Sequence, residues 1–256
     1  MTEITSPQSA ALPPKEELEE ETGGQMTLLE HLEELRSRLV KVAIAIGIAT
    51  AISFVFAQQF VDFLAVPIGG LDKLQAIDVT ENISVFMQVS LIGGLVLAMP
   101  VIVYQLIRFI VPGLTNDEKR YLWIVVPTAS LLFLVGVAFA FFVMLPNAVP
   151  FLTSFLNIPT KPRPETYFGF ITKLMFWIGV SFQTPLILAF LARLGIITPQ
   201  LLIKYRRYAV VLMAILAAVI TPTVDPVNMM LVMAPLVILY ELGILLSRFT
   251  YRKRQG

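Results

Sequence analysis

Long uncharged runs set the pattern of this chain. Residues 42–61, 82–107, 121–160, 174–192 and 208–240 contain no Lys, Arg, Asp or Glu apart from Asp225. A helix that crosses a bilayer needs about 20 mostly apolar residues, so the first, second and fourth runs each predict one span. The third is longer than one span needs. Pro146, Asn147, Pro150, Asn157 and Pro159 crowd its second half, which predicts a span ending near Leu145 and then an external loop. The last run is broken by "TPTVDP" at 221–226, which predicts two helices joined by a tight turn. The expectation is six spans.

The first arm of that hairpin is short. Residues 208–220 make only about 20 Å of helix at 1.5 Å per residue, against a hydrocarbon core of about 30 Å. Lys204 to Arg207 can lend length by snorkelling, and a residual mismatch tilts neighbours or thins the bilayer.

Composition removes the water-soluble alternatives. The chain has 256 residues, 57% hydrophobic and 14% charged, with mean hydropathy +0.79. Soluble domains carry about 25% charged residues. The net charge of +1 favours no partner class, and the absence of cysteine excludes disulfide and thiolate chemistry. The placement of charge says more. With six spans, only Lys73, Lys161, Arg163 and Lys173 of the 19 basic residues fall on the side opposite the termini. The positive-inside rule then puts both termini in the cytoplasm of a multi-pass protein of the cell membrane.

Residues 1–25 read as a disordered acidic tail: "PPKEELEEETGG" has no apolar core, so no cleaved signal peptide is expected. Residues 26–250 form the membrane domain and 251–256 a basic tail. Pro100, Pro127, Pro185 and Pro235 lie inside spans, where each removes a main-chain donor and bends its helix. The fold class is all-α, with kinked helices in a concave arrangement.

Candidate chemistry sits where charge meets the first span, in "HLEELRSRL" at 31–39. Glu34 and Arg38 are i, i+4 neighbours on a helix, and Glu33 and Arg36 are i, i+3. His31 is the only histidine, so neither a metal site nor a His-dependent hydrolase is favoured. An interfacial anchor and a surface that recognises charge both remain open. A second segment, "RFIVPGLTNDEKR" at 108–120, places Glu118 near Phe109 at the membrane surface, with Thr115 or Asn116 as helix cap. Carboxylates beside an aromatic ring suit a guanidinium ligand, whose fork lysine cannot copy.

From Thr27 to Phe249 the chain resembles the TatC subunit of the twin-arginine protein translocase. The motifs, in order, are "HLEELRSRL", "AMPVIVYQLIRFIVPGL" followed by "EKR", "GVSFQTPL", "LGIITPQLLIKYRRY" and "APLVILYELGILLSRF". The resemblance implies a signal-peptide receptor that exports folded proteins on the proton-motive force, not an enzyme. Consistently, no "GxxxxGK[ST]" phosphate loop occurs. It assigns Glu118 as principal carboxylate for an arginine pair, Phe109 as its hydrophobic neighbour, Glu34 as a second acidic contact and Arg36 as a contact or structural residue.

Gln183 lies mid-span, where a polar side chain needs a partner. The resemblance makes it a contact for single-span TatA- and TatB-type subunits or for a signal peptide, and a neighbouring helix is the alternative. Asp225, Glu241, Pro67 and Pro100 are structural or partner-contact candidates, with Arg248 a possible mate for Glu241. The chain departs from the family by one extra residue before Asp225 and by Met229 where glutamine is frequent. No cofactor, metal or nucleic acid is expected; membrane lipids and an oligomeric complex are. The rival from another class is a small-solute secondary transporter or channel, which would show an inverted repeat and midplane ionisable groups. An intramembrane protease lacks a catalytic pair, and a passive scaffold would differ by indifference to the arginine pair.

Overall fold

The computed structural model describes residues 28–110, 122–154, 160–221 and 226–251. Glu118, Asp225, the cap candidates Thr115 and Asn116, the N-terminal tail and the C-terminal tail beyond Tyr251 lie outside them. The described chain is all-helical. In order come α1 (Leu28–Val55), α2 (Ala57–Leu64), α3 (Glu81–Ile110), α4 (Leu122–Phe139), a π-helical turn (Ala140–Met144), α5 (Leu145–Ser154), α6 (Pro164–Ser181), α7 (Thr184–Arg193), α8 (Pro199–Lys204), α9 (Arg206–Ile220) and α10 (Pro226–Thr250).

Among the described residues, five stretches are long and apolar enough to cross a membrane: Leu32–Val55, Glu81–Phe109, Ile124–Ser154, Pro164–Arg193 and Pro226–Thr250. Their outward faces carry large apolar side chains, such as Ile44, Ile48 and Ile52 on α1 and Leu131, Leu134 and Val135 on α4. In water such rows would be one continuous sticky surface; against lipid they cost nothing. This is a membrane protein. α9, at 15 residues, spans about 22 Å and is the short arm expected from the sequence.

Three boundaries differ from the sequence reading. The first helix starts at Leu28 and breaks at Phe56, so residues 57–61 belong to the separate α2. The third run does not end near Leu145: it continues through α5 to Ser154. Proline removes an N–H and crowds the carbonyl four residues back, and the π-helical turn before Pro146 relieves this by passing a hydrogen bond from the Leu145 N–H to the Ala140 carbonyl. The fourth helix starts at Pro164, ten residues before the uncharged run, and carries Lys173 inside it. Its break falls at Phe182 and Gln183, both still in right-handed helical geometry, just before Pro185, which has no N–H to donate to the carbonyl four residues back. By contrast, α3, α4 and α10 run unbroken past Pro100, Pro127 and Pro235.

Around α6, the side chains of Phe133, Met144, Leu145, Phe168, Ile171, Leu174 and Ile178 are fully buried. α7 ends in a left-handed Gly195 (φ 72°), with Gly195 N–H bonded to the Ala192 carbonyl and Ile196 N–H to that of Leu191. That pair of bonds caps the open carbonyls of the helix end.

Candidate functional site

Interhelical bonds sort the molecule into two polar ends. At one end, Arg38 of α1 reaches the Gln105 Oε1 of α3 at 3.5 Å. Thr250 Oγ1 donates to the Ala189 carbonyl at 3.0 Å, and Tyr240 OH donates to the Leu202 carbonyl at 2.9 Å. An apolar patch of Val103, Ile107 and Ala129, with Leu186, Phe190 and Leu194, lies beneath.

Glu34 and Arg38 pair as the helical spacing requires, with side chains only 18% and 14% exposed. Their geometry is lopsided. Both Arg38 Nε and Nη2 donate to the same oxygen, Oε1, while Glu34 Oε2 is buried without a hydrogen-bond partner among the described residues. A buried acceptor left open costs about 1–3 kcal/mol, so this carboxylate has unused capacity for another donor. Phe109, half-buried, lies four residues beyond Gln105 near the end of α3. Arg36 is exposed and lines a shallow groove with Glu33, Ser37, Val40 and Lys41. His31 lies within α1.

Basic and aromatic side chains continue along this end. The Arg108 guanidinium sits 5.8 Å from the Tyr104 ring centre and donates to its hydroxyl at 2.8 Å. The Arg207 guanidinium sits 4.8 Å from the Tyr208 ring. Such pairs keep an apolar body and a charged head together at a membrane surface. Glu241 pairs with Arg206 across the α9–α10 hairpin, not with Arg248. Residues 241 and 248 are two turns apart on one helix, whereas the hairpin brings Arg206 alongside.

Gln183 is 8% exposed, and its Nε2 donates to the Ala129 carbonyl at 2.8 Å. The side chain therefore ties the α6–α7 break to α4. Pro67 stands at the start of a single 3-10 turn, Val66–Ile68, which Gly69 ends in left-handed geometry (φ 94°). Pro100 is exposed on α3.

The other end holds a clasp that sequence reasoning missed. Glu81 is 1% exposed at the start of α3. Its Oε1 accepts from Arg163 Nε and Nη2 at 2.9 and 2.7 Å, and from the N–H groups of Asp78 and Ile77 at 3.0 and 3.2 Å. The Glu81 carboxylate beside Arg163 holds that guanidinium's proton more tightly than usual. Hydrogen bonds from the Thr80 N–H and hydroxyl hold Asp78 below the usual carboxylate range. Gln75 N–H bonds to the Pro162 carbonyl and Tyr167 OH to that of Leu64, so the segment before α3 is fastened to the start of α6. The partners are 82 residues apart. The available signal was slight: Glu81 abuts the second predicted span, but Arg163 lies eleven residues before the fourth. Among the described residues no group of three or more His, Cys, Asp or Glu side chains could hold a metal ion.

Comparison with known proteins places this geometry. Residues 30–235 match the family model of the Sec-independent protein translocase protein TatC. The TatCy protein of Bacillus subtilis is 40% identical over 90% of this chain and 92% of its own length. The chloroplastic TATC of Arabidopsis thaliana is 37% identical over 94% of this chain and 71% of its own. A crystal structure of the twin-arginine translocase receptor TatC superposes with a TM-score of 0.78 at 36% identity, covering 87% of this chain and 100% of that one.

Proposed function

The chain belongs to the TatC family of Sec-independent protein translocases, and from that premise we propose that it is the receptor that reads the arginine pair of a signal peptide. As a TatC protein it is a membrane component of the translocase and works by transport. The reading of the recognition step rests on one observation: Glu34 offers a buried carboxylate oxygen, Oε2, that Arg38 leaves unbonded.

A guanidinium arriving from a peptide donates two parallel N–H bonds, and a charge-assisted bond of that kind is about twice as strong as a neutral one. Arg38 already neutralises one lobe of Glu34. An incoming arginine therefore has to share or displace it, with Glu118 as the principal carboxylate and Glu34 as the second acidic contact. Phe109 gives the apolar contact for the residue that follows the pair, and Arg36 on the exposed face of α1 orients the peptide backbone. In this reading the protein has six spans in a concave arrangement and lies in the cell membrane with both termini in the cytoplasm. It works with TatA- and TatB-type single-span subunits and draws on the proton-motive force.

The test is site-specific crosslinking from a signal peptide carrying Arg-Arg or Lys-Lys to the full chain. Wild-type protein should capture the Arg-Arg peptide alone, and Glu118→Gln and Glu34→Gln should each reduce capture. Equal capture of both peptides, indifferent to both substitutions, would make the acidic segment an anchor and the protein a scaffold at this step.

A further inference from the structure

Lys173 is a charged residue inside a spanning segment that the receptor reading leaves over. It lies nine residues past Pro164 inside α6, about 13 Å along the helix. It is exposed, and none of the three ion pairs among the described residues includes it. An ammonium inside a spanning segment is costly unless something outside the helix meets it.

The surroundings of Lys173 are built for a polar ligand. It lines a cavity of about 370 Å³ with Gln88, Glu165, Thr166, Gly169 and Thr221. At the base, Gln88 Nε2 donates to Thr172 Oγ1 at 3.2 Å, which fixes the amide at the cavity wall. The notch opens beside the end of the short α9: its last residues, Val219 and Ile220, and the capping Thr221 line the pocket with Gly169 and Lys173. A longer helix would fill the notch.

The order of charge within the notch identifies the ligand class. Lys173 is the deeper group, and Glu165 lies eight residues nearer the mouth on the same helix face. Across the leaflet, from the acyl chains outward, a zwitterionic phospholipid presents first its phosphate and then its ammonium. The two sequences match, cation against phosphate and carboxylate against ammonium. Eight residues put the two positions about 12 Å apart along the helix, and a lysine stem reaching outward along its helix spans about half of that gap. Val219 in the lining, and exposed Ile215 and Val211 below it on α9, give the acyl chains an apolar track.

We propose that this notch is a binding site for the headgroup of a phosphatidylethanolamine-type lipid, drawn below the level of the surrounding leaflet to reach Lys173. The site lies at the end of the bundle opposite the Glu34–Arg38 pair, so it stands independently of signal-peptide recognition.

The experiment is native mass spectrometry of the full chain released from nanodiscs holding equal amounts of phosphatidylethanolamine and phosphatidylglycerol. Wild-type protein should retain phosphatidylethanolamine preferentially. Lys173→Gln should lower that retention about fivefold, the effect of one basic side chain at a lipid surface, while Lys173→Arg keeps it. Glu165→Gln should shift retention toward phosphatidylglycerol. A parallel titration with inorganic phosphate separates a lipid site from a free-anion site: phosphate that displaces the lipid at millimolar concentration overturns the proposal. So does unchanged retention in Lys173→Gln with the protein still monodisperse, or a crosslink from position 173 to a protein carboxylate instead of lipid. Signal-peptide capture by the same variants should be unaltered, which keeps failure here distinct from failure of the receptor reading.

Discussion

Gly94 is the position where a single methyl group should do the most damage. α1 and α3 approach closely at Thr50 and Ser53 on one side and Gly93 and Gly94 on the other. A Cβ built on Gly94 meets Thr50 Oγ1 and lies 2.5 Å from Thr50 Cα and 2.6 Å from its main-chain nitrogen. Rotating Thr50 moves the hydroxyl and leaves the main-chain atoms where they are. Ordinary carbon contacts are about 3.5–4.0 Å, so the helices must part by about 1 Å. Overpacking of this kind costs about 1–3 kcal/mol, and a clash with main chain belongs at the upper end. Alanine regains about 0.9 kcal/mol of helix propensity over glycine, leaving Gly94→Ala destabilised by about 2 kcal/mol.

Gly47 supplies the control, because a Cβ there meets nothing within 4 Å. Gly47→Ala should stabilise by about 0.5–1 kcal/mol. Reversible unfolding in dodecyl maltoside–SDS micelles measures both, and the propensity term cancels in the comparison. The two variants should differ by about 3 kcal/mol. A difference under about 0.5 kcal/mol would refute the close approach as the source of α1–α3 stability. Gly93 refines the argument. Its Cβ would meet Ser53 Oγ, with the Phe60 ring next at 3.3 Å. Ser53 Oγ has no partner among the described residues. Gly93→Ala should therefore be milder than Gly94→Ala and should be rescued by Ser53→Ala.

Two further outcomes follow from buried polar contacts. Tyr167→Phe removes the hydroxyl bond to the Leu64 carbonyl (2.9 Å) and should cost about 0.5–1.5 kcal/mol in the same unfolding assay. Gln183→Leu removes the 2.8 Å bond to the Ala129 carbonyl, and membrane hydrogen bonds average about 0.6 kcal/mol. It should lower stability by that amount and leave co-purification of single-span subunits intact. Lost co-purification at unchanged stability would assign Gln183 to partner contact instead.

Legibility in the sequence followed the range of each interaction. The Glu34–Arg38 pair was readable because one helix period sets it, and the short arm of the last hairpin because length is a matter of counting. Glu81–Arg163 was not: nothing in either residue's neighbourhood says that two loops 82 positions apart will meet. Gln183 shows the intermediate case. Its depth was evident and its need for a partner followed from depth. The partner, however, is a main-chain carbonyl, and a carbonyl leaves no mark in the sequence. The helix through Pro146 and Pro150 failed for another reason. Proline is a reliable helix breaker in water, but inside a membrane an open end strands several main-chain groups. A π-helical turn is the less costly solution.

The same accounting separates structural polar groups from those available to a ligand. Among the described residues Glu81 also has an oxygen without a partner, yet two of the donors on its other oxygen are the main-chain N–H groups of Ile77 and Asp78, which cannot swing away without unwinding the turn that leads into α3. Arg163 closes the clasp from the start of α6, so the carboxylate is committed. Among the described residues Glu34 is held by one side chain, Arg38, and a side chain can rotate out as another guanidinium rotates in. Exchangeability, more than burial or charge, distinguishes the two glutamates. Lys173 stands at the far limit of the series, with no carboxylate partner to exchange among the described residues. A membrane protein tolerates such a residue only where water or a lipid headgroup comes down to meet it. The short α9, which opens the notch beside Lys173, is therefore as much a part of that site as the lysine itself.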